Sequence, residues 1–486
     1  MLDPQYLDHL PDRVVELYTG MEERILEDMA RRISKVQSVT DTVKWQSWRA
    51  EQLGAERAFI RSHLQRLTGK SQGEINQLFL EAGEQALYYD DMIYRAAGLS
   101  PLAISNSPVL QRILSSGVAK TRGLFENLTS TTANTATRQF ERALDAAYMD
   151  MISGAFSYQD AIRSAVKSLT SKGLDAITYP SGRTDKLDVA VRRAVLTGIN
   201  QTAGQLSDAR ATEMGCDLVE TTAHAGARPE HAAWQGKIFS RSGHHPKYPD
   251  FVSTTGYGTG AGLCGWNCRH SFYPYFEGLS RNSYTRRELN KLNSTAVEYK
   301  GQTLSVYDAS QVQRKIERKI RRWKREYKAM EAAGLDVGEA SVRLSKWRAT
   351  QADFSSQTGM RGDNFRQQVL GFGRSQAAKA TAIQRDMQRF RAALDGLKAP
   401  DGTVLQGTEH VYLRARIRSV SAEDIADALT RWLEKGKIKV DDLGRPSYKL
   451  IGERATIAIN PDTGNITSVW KTGRKTVAKL KRGKMT

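Results

Sequence analysis

The sequence predicts a mostly α protein: a long helical body, a small Gly- and aromatic-rich irregular knot, and a C-terminal α+β domain. Three observations predict it. Apolar residues recur at three- and four-residue spacing across most of residues 1–215. Between Val219 and Gly278 that periodicity gives way to Gly, aromatic residues and His. Beyond Gln376 helical spacing is followed by three short strand-like runs. Of 486 residues, 40% are hydrophobic and 26% charged, and Gly (39) and Pro (12) are too few for a fibrous chain. No run approaches the ~18 consecutive apolar residues of a membrane span. The start, Met1-Leu-Asp-Pro, lacks the basic and apolar regions of a signal peptide. The three cysteines, Cys216, Cys264 and Cys268, cannot build a disulfide framework, so a reducing compartment is expected.

The helical body is expected over residues 1–218. Pro11 suits a first helical turn, and Val14, Tyr18, Met21, Ile25, Met29 and Ile33 then mark one apolar stripe. A second helix is expected from near Asp41, with Trp45, Trp48 and Leu53. A third should follow Ser71, where Ser-Gln-Gly-Glu74 reads as a capping box. Phe125–Val166 and Asp185–Met214 supply further amphipathic runs. The knot spans 219–278 and a basic helical region spans 279–370. In that region helices are expected at Thr285–Leu292, Ser310–Ala333 and, after Gly334, Glu339–Thr358. Ile316, Ile320, Trp323, Tyr327 and Met330 form a packing seam on the middle one.

Arg361–Gln376, with Gly362, Gly371 and Gly373, reads as a connector into the α+β domain of residues 371–486. There Ser421 opens a helix carrying Ile425, Leu429, Trp432 and Leu433, with Gly436 as its C-terminal cap. Strands are expected at Ser447–Ile451, Ala455–Asn460 and Ile466–Thr472, the last two joined by the turn Pro461-Asp-Thr-Gly-Asn465. The basic tail Arg474–Lys484 is expected to fray.

Lys and Arg number 72 against 53 Asp and Glu, a net charge of +19. Gln311–Lys328 holds nine basic and two acidic residues, and Phe372–Thr486 holds 23 and 12, so these two segments carry nearly all of the excess. A polyanionic partner fits, because neutralising phosphates releases counterions. Arg314, Arg318, Arg321, Arg322, Arg325 and Arg416 are the candidate phosphate contacts. A solvated basic face is the alternative.

The densest constellation lies in the knot: His224-Ala-Gly-Ala-Arg-Pro-Glu-His231, Trp234-Gln-Gly-Lys237 and Gly262-Leu-Cys-Gly-Trp-Asn-Cys-Arg-His270. Cys264, Cys268 and His270, with His231 or His224, offer the four tetrahedral N/S ligands of a structural zinc. A metal would offset the ordering entropy of a loop-rich stretch without an obvious core. A metal-free aromatic knot centred on Trp234 and Trp266 is the alternative.

These motifs, with Tyr248-Pro-Asp-Phe and the ending Asn-Cys-Arg-His-Ser-Phe, resemble the signature of the phage minor capsid protein 2 family of tailed phages. The resemblance runs from about Pro4 to about Val369 and includes Gln313-Arg-Lys-Ile-Glu-Arg-Lys-Ile-Arg321. The Asn-Cys-Arg-His ending is more distantly similar to the His-Pro-Asn-Cys-Arg-Cys ending of Mu-type head-morphogenesis proteins, with His270 at the final Cys position. The first Cys pair of that pattern is absent here. The resemblance implies a virion component present in a few copies at or near the portal, and in the host cytoplasm during assembly. Portal protein, other capsid proteins and phage DNA are the implied partners, with no membrane.

In the C-terminal domain His410 precedes Arg414 by one helical turn, and Arg416 and Arg418 add charge. Lys449, Ser468 and Thr472 lie on strand candidates. A His for proton transfer, Arg and Lys for the phosphate, and hydroxyls to position it are what metal-independent RNA cleavage requires. The order His410, Arg414, Tyr448, Asn460, Trp470, Thr472 resembles the barnase–EndoU–colicin–RelE group of ribonuclease and toxin domains, over about Glu409 to Thr472. The resemblance implies a toxin-like ribonuclease with RNA as substrate. His410 is the domain's only His, whereas EndoU-type catalysis uses two with a Lys. A basic domain that binds nucleic acid without cleaving it is the alternative.

Overall fold

In the computed structural model, which describes residues 1–38, 42–153, 156–178 and 184–483, the stripe that starts at Val14 folds as one helix, Asp12–Ile33. Val14, Tyr18, Met21, Ile25, Met29 and Ile33 are all buried on it, as a 3.6-residue period requires. The chain divides into two compact units, residues 1–334 with 349–371 and residues 335–348 with 372–486. The segments 1–218, 219–278 and most of 279–370 therefore fold together as the first unit.

In that unit the helix Thr42–Ala96 runs for 55 residues without interruption, about 80 Å at 1.5 Å per residue. Asp41, its expected start, lies outside the described residues. The capping box expected at Ser71 does not form. Ser71 sits inside the helix, its hydroxyl donating to the Thr68 carbonyl at 3.1 Å. Leu67, Ile75 and Leu78 are buried on either side, and that burial outweighs the local preference of Ser for a cap.

Pro108–Ile152 begins with Pro at its first turn and the Ser107 hydroxyl accepting from Leu110 N–H. Tyr158–Lys172 and Leu187–Glu213 follow. Trp45 stacks on Tyr148 with ring centroids 4.0 Å apart, and Arg49 bridges Glu141 and Asp145 at 2.6 Å each. Where Pro108–Ile152 crosses Leu187–Glu213 the contact is reciprocal: Gly117 abuts the Thr202 side chain, and Gly198 abuts Thr121.

The knot contains a three-stranded antiparallel sheet, with Leu218–Thr221 between Ile238–Ser240 and Phe272–Pro274. After it, Ala296–Tyr299 and Gln302–Ser305 pair as a hairpin across Lys300 and Gly301, both at positive φ (51° and 73°). Ser305 then caps the helix Val306–Ala332, which starts a turn earlier than its apolar seam suggests. Ile316, Ile320, Trp323, Tyr327 and Met330 are all buried.

The second unit packs Arg374–Leu394, Glu409–Ile417 and Ala422–Thr430 with an antiparallel sheet. Across that sheet Ile466–Lys471 pairs with Ala455–Ile459, which pairs with Pro446–Ile451, which pairs with the short Glu434–Lys435. Val411, Ala415, Ile425, Leu429, Tyr448, Leu450, Ile457, Ile459 and Val469 share its core. The Ser421 helix has the expected cap, but it ends at Thr430. Trp432 and Leu433 lie beyond it, and Gly436 follows a strand instead of capping the helix. The tail is helical over Arg474–Gly483 rather than frayed, and Lys484 lies outside the described residues.

Candidate functional site

His231 stands on the short helix Pro229–Ala232, and Cys268 and His270 lie just before the strand Phe272–Pro274. Asn200, fully buried on Leu187–Glu213, donates from Nδ2 to the Cys268 carbonyl (3.0 Å) and the His270 carbonyl (3.1 Å). This bond pair anchors the loop to the helical body. Sequence reading missed it, because one Asn inside an amphipathic helix carries no signal.

The ligand atoms of His231, Cys268 and His270 lie within 4.8 Å of one another, and all three residues are buried. Cys268 Sγ is 3.7 Å from His231 Nδ1 and 3.6 Å from His270 Nδ1. The far ring nitrogens are held by oxygens: His231 Nε2 is 2.9 Å from the Ala261 carbonyl, and His270 Nε2 is 3.0 Å from Gln235 Oε1. Burial lowers the pKa of both imidazoles, that of His270 to about 2, so both are neutral at pH 7. Burial likewise raises the Cys268 thiol.

Cys264, expected among the ligands, is not part of this group. Its backbone is left-handed (φ 59°), and its Sγ points to the His270 carbonyl at 3.7 Å. His224 packs against His270 with ring centroids 4.5 Å apart and its Nδ1 on the Ala225 carbonyl, and it too lies outside the group. The aromatic core of the knot is Trp234, Phe239, Phe251 and Phe272. Trp266, expected at its centre, is 60% exposed.

A cavity of about 1390 Å³ adjoins the group, lined among others by His231, His270, Arg269, Arg314 and Arg366. Arg269 and Arg366 both donate to Asp8 Oδ1, at 2.6 and 3.0 Å. Burial, then Arg269 and Arg366, pull the Arg314 guanidinium down to about 10.

The other arginines expected to contact nucleic acid divide sharply. Arg321 is buried, bonding Asp188 at 2.7 Å and Glu22 at 3.2 Å, and Arg325 pairs with Glu22 at 3.1 Å. These two are committed inward, because the seam turns their side of the helix onto Asp12–Ile33. Arg322 lies over the Trp323 ring, Arg416 pairs with Asp336 at 2.6 Å, and Arg318 is exposed.

In the second unit His410 is exposed, with Nε2 3.2 Å from the Thr467 carbonyl, and Arg414 follows one turn on. Lys449 and Ser468 are both register partners of Ala458, so they share one row of the sheet. That row faces away from the core face that Val411 and Ala415 of the His410 helix pack against. Lys449 extends over the Trp470 ring, Thr472 bonds the Thr456 hydroxyl at 2.9 Å, and Arg418 rather than Arg414 reaches Ser468, at 3.0 Å.

A helical body that carries a buried His/Cys group and a long basic helix matches one known family over most of the chain. The phage minor capsid protein 2 family matches residues 2–355, and the chain belongs to that family. A "Structural protein" of Lactococcus phage LL-H is 29% identical over 217 residues, 43% of this chain and 55% of its own length. A "Structural protein" of Lactococcus phage mv4 is 34% identical over 90 residues, 18% of this chain and 63% of its own length. The chain thus spans less than two thirds of either relative. No solved structure matches. Among the described residues, no helix is long and apolar enough to cross a membrane.

Proposed function

We propose that this chain is a structural component of a phage virion, docked at or near the portal through the helices of its first unit. The family match over residues 2–355 carries this reading. A surface suited to a protein neighbour supports it: Leu80, Tyr88, Tyr89 and Met92 are exposed along one stretch of Thr42–Ala96. Large apolar side chains grouped on a surface mark protein contacts. Portal and other capsid proteins are the partners, and the host cytoplasm is where assembly takes place. The test is incorporation. In a phage that depends on this chain, the double variant Tyr88→Ser/Met92→Ser should fold but be lost from purified particles, and its normal incorporation would refute docking through this stretch.

For the second unit, binding of nucleic acid without cleavage is favoured over ribonuclease activity. The observation behind this is the sheet register, which turns Lys449 and Ser468 away from the core face that Val411 and Ala415 pack against, while Arg418 at the end of that helix occupies the Ser468 hydroxyl. A general acid–base His must reach the scissile group together with its phosphate-holding partners. The net charge of this segment, 23 basic against 12 acidic residues from Phe372 to Thr486, suits packaged DNA or RNA.

A further inference from the structure

We infer that His231, Cys268 and His270 bind one zinc ion, with solvent from the adjoining cavity as fourth ligand. The inference is independent of where the chain sits in a particle.

The Ala261 carbonyl can only accept, so His231 Nε2 carries the hydrogen of that 2.9 Å bond and Nδ1 keeps a lone pair. For His270 the chain of bonds is longer and equally determinate. Asn293 Nδ2 donates to the Ala232 carbonyl, so Asn293 Oδ1 accepts from Gln235 Nε2 at 2.7 Å. Gln235 Oε1 accepts the His224 backbone N–H at 3.0 Å, which fixes the same orientation of the amide. His270 Nε2 must then donate to that oxygen, leaving a lone pair on Nδ1.

Two imidazole lone pairs therefore converge on one sulfur, and a thiol has a single proton to share between them. One buried acceptor stays unsatisfied unless a cation supplies the missing positive charge. A divalent metal removes the conflict. Cys268 releases its proton to solvent, and the thiolate and both Nδ1 atoms bind the ion. The His270 backbone N–H, 3.4 Å from Sγ, stabilises the thiolate.

The surroundings are those of ligating imidazoles. Each is oriented by a hydrogen bond from its other nitrogen to a carbonyl oxygen. Mixed sulfur and nitrogen donors select zinc among the abundant divalent ions. Among the described residues no fourth His, Cys, Asp or Glu joins the group. His231 and His270 both line the cavity of about 1390 Å³, so water can complete the tetrahedron.

The test uses the full chain purified from zinc-supplemented medium. Elemental analysis should find about one zinc per chain, and X-ray absorption at the zinc edge should show one sulfur near ~2.3 Å with nitrogen or oxygen near ~2.0 Å. Cys268→Ser and His270→Asn should each lower the content at least tenfold, while Cys264→Ser retains it. A wild-type content below a tenth of an ion per chain would overturn the site. A two-sulfur shell would overturn the ligand set, and because it is read on the wild-type protein it does not depend on any variant folding.

Discussion

Arg321 and Glu22, 299 positions apart in the chain, meet at 3.2 Å with both side chains almost fully buried. Glu22 also accepts from Arg325 and from the Leu174 N–H, and Arg321 reaches Asp188. The basic helix Val306–Ala332 is thus held to the body by charges that its composition assigns to an outside partner. Removing one partner of a buried pair leaves the other desolvated and uncompensated, at a cost of about 3 kcal/mol. Arg321→Met should lower stability by that order, and adding Glu22→Gln should recover part of it. Denaturant unfolding of the single and double variants measures the coupling, and strictly additive losses would mean that the pair is not a unit.

The helix crossing gives a paired prediction with an internal control. A methyl group at Gly117 would fall on the Thr202 side chain, whereas one at Gly123 in the same helix meets nothing. Gly117→Ala should destabilise by about 1–3 kcal/mol. Gly123→Ala should be neutral or stabilising by up to about 1 kcal/mol, since Ala is the better helix former. Thermal unfolding of both variants decides it, and equal effects would contradict the close crossing.

Glu56 predicts a pH dependence. Burial pushes its carboxyl up to about 7 from an ordinary 4.5, and its side chain is fully buried with the Thr137 hydroxyl donating to it. The folded state therefore binds more protons than the unfolded state between those two values. This residue's contribution to stability is greatest below pH 4.5 and is lost as pH rises toward 7. Glu56→Gln mimics the protonated acid. It should match wild type near pH 5 and exceed it at pH 8 by up to about 3 kcal/mol, as read from chemical denaturation at the two pH values.

For the C-terminal unit, full-length protein should bind single-stranded RNA or DNA with an affinity that falls steeply with salt. It should release no RNA fragments in EDTA, and His410→Ala should change neither property by more than about twofold. Metal-independent cleavage that His410→Ala abolishes would restore the ribonuclease reading.

Much of the fold was legible because burial writes itself as periodicity. The stripe from Val14 to Ile33, the seam from Ile316 to Met330, and the strands around Leu450, Ile457 and Val469 all fold as their spacing indicates. The false cap at Ser71 was not legible, because burial around it keeps the helix going, nor was the early stop at Thr430, where the chain just beyond turns to pair with a strand, Leu433 N–H donating to the Ile451 carbonyl. At the candidate site the residue types were legible but the selection among them was not. Cys264 and Cys268 look alike in sequence, and only the left-handed turn at Cys264 separates them. Gln235 stood in a recognisable motif, but its role depends on Asn293, 58 positions away. The inward commitment of Arg321 and Arg325 does not show in net charge, which counts residues and not their partners.

The most direct test of the account is location in the particle. Purified virions of a phage that encodes this chain, imaged by cryo-electron microscopy with the chain tagged after residue 483, should show the tag at a single vertex, the one that carries the portal. Tag density spread over all vertices, or a chain absent from virions and recovered only from the host cytosol, would contradict it.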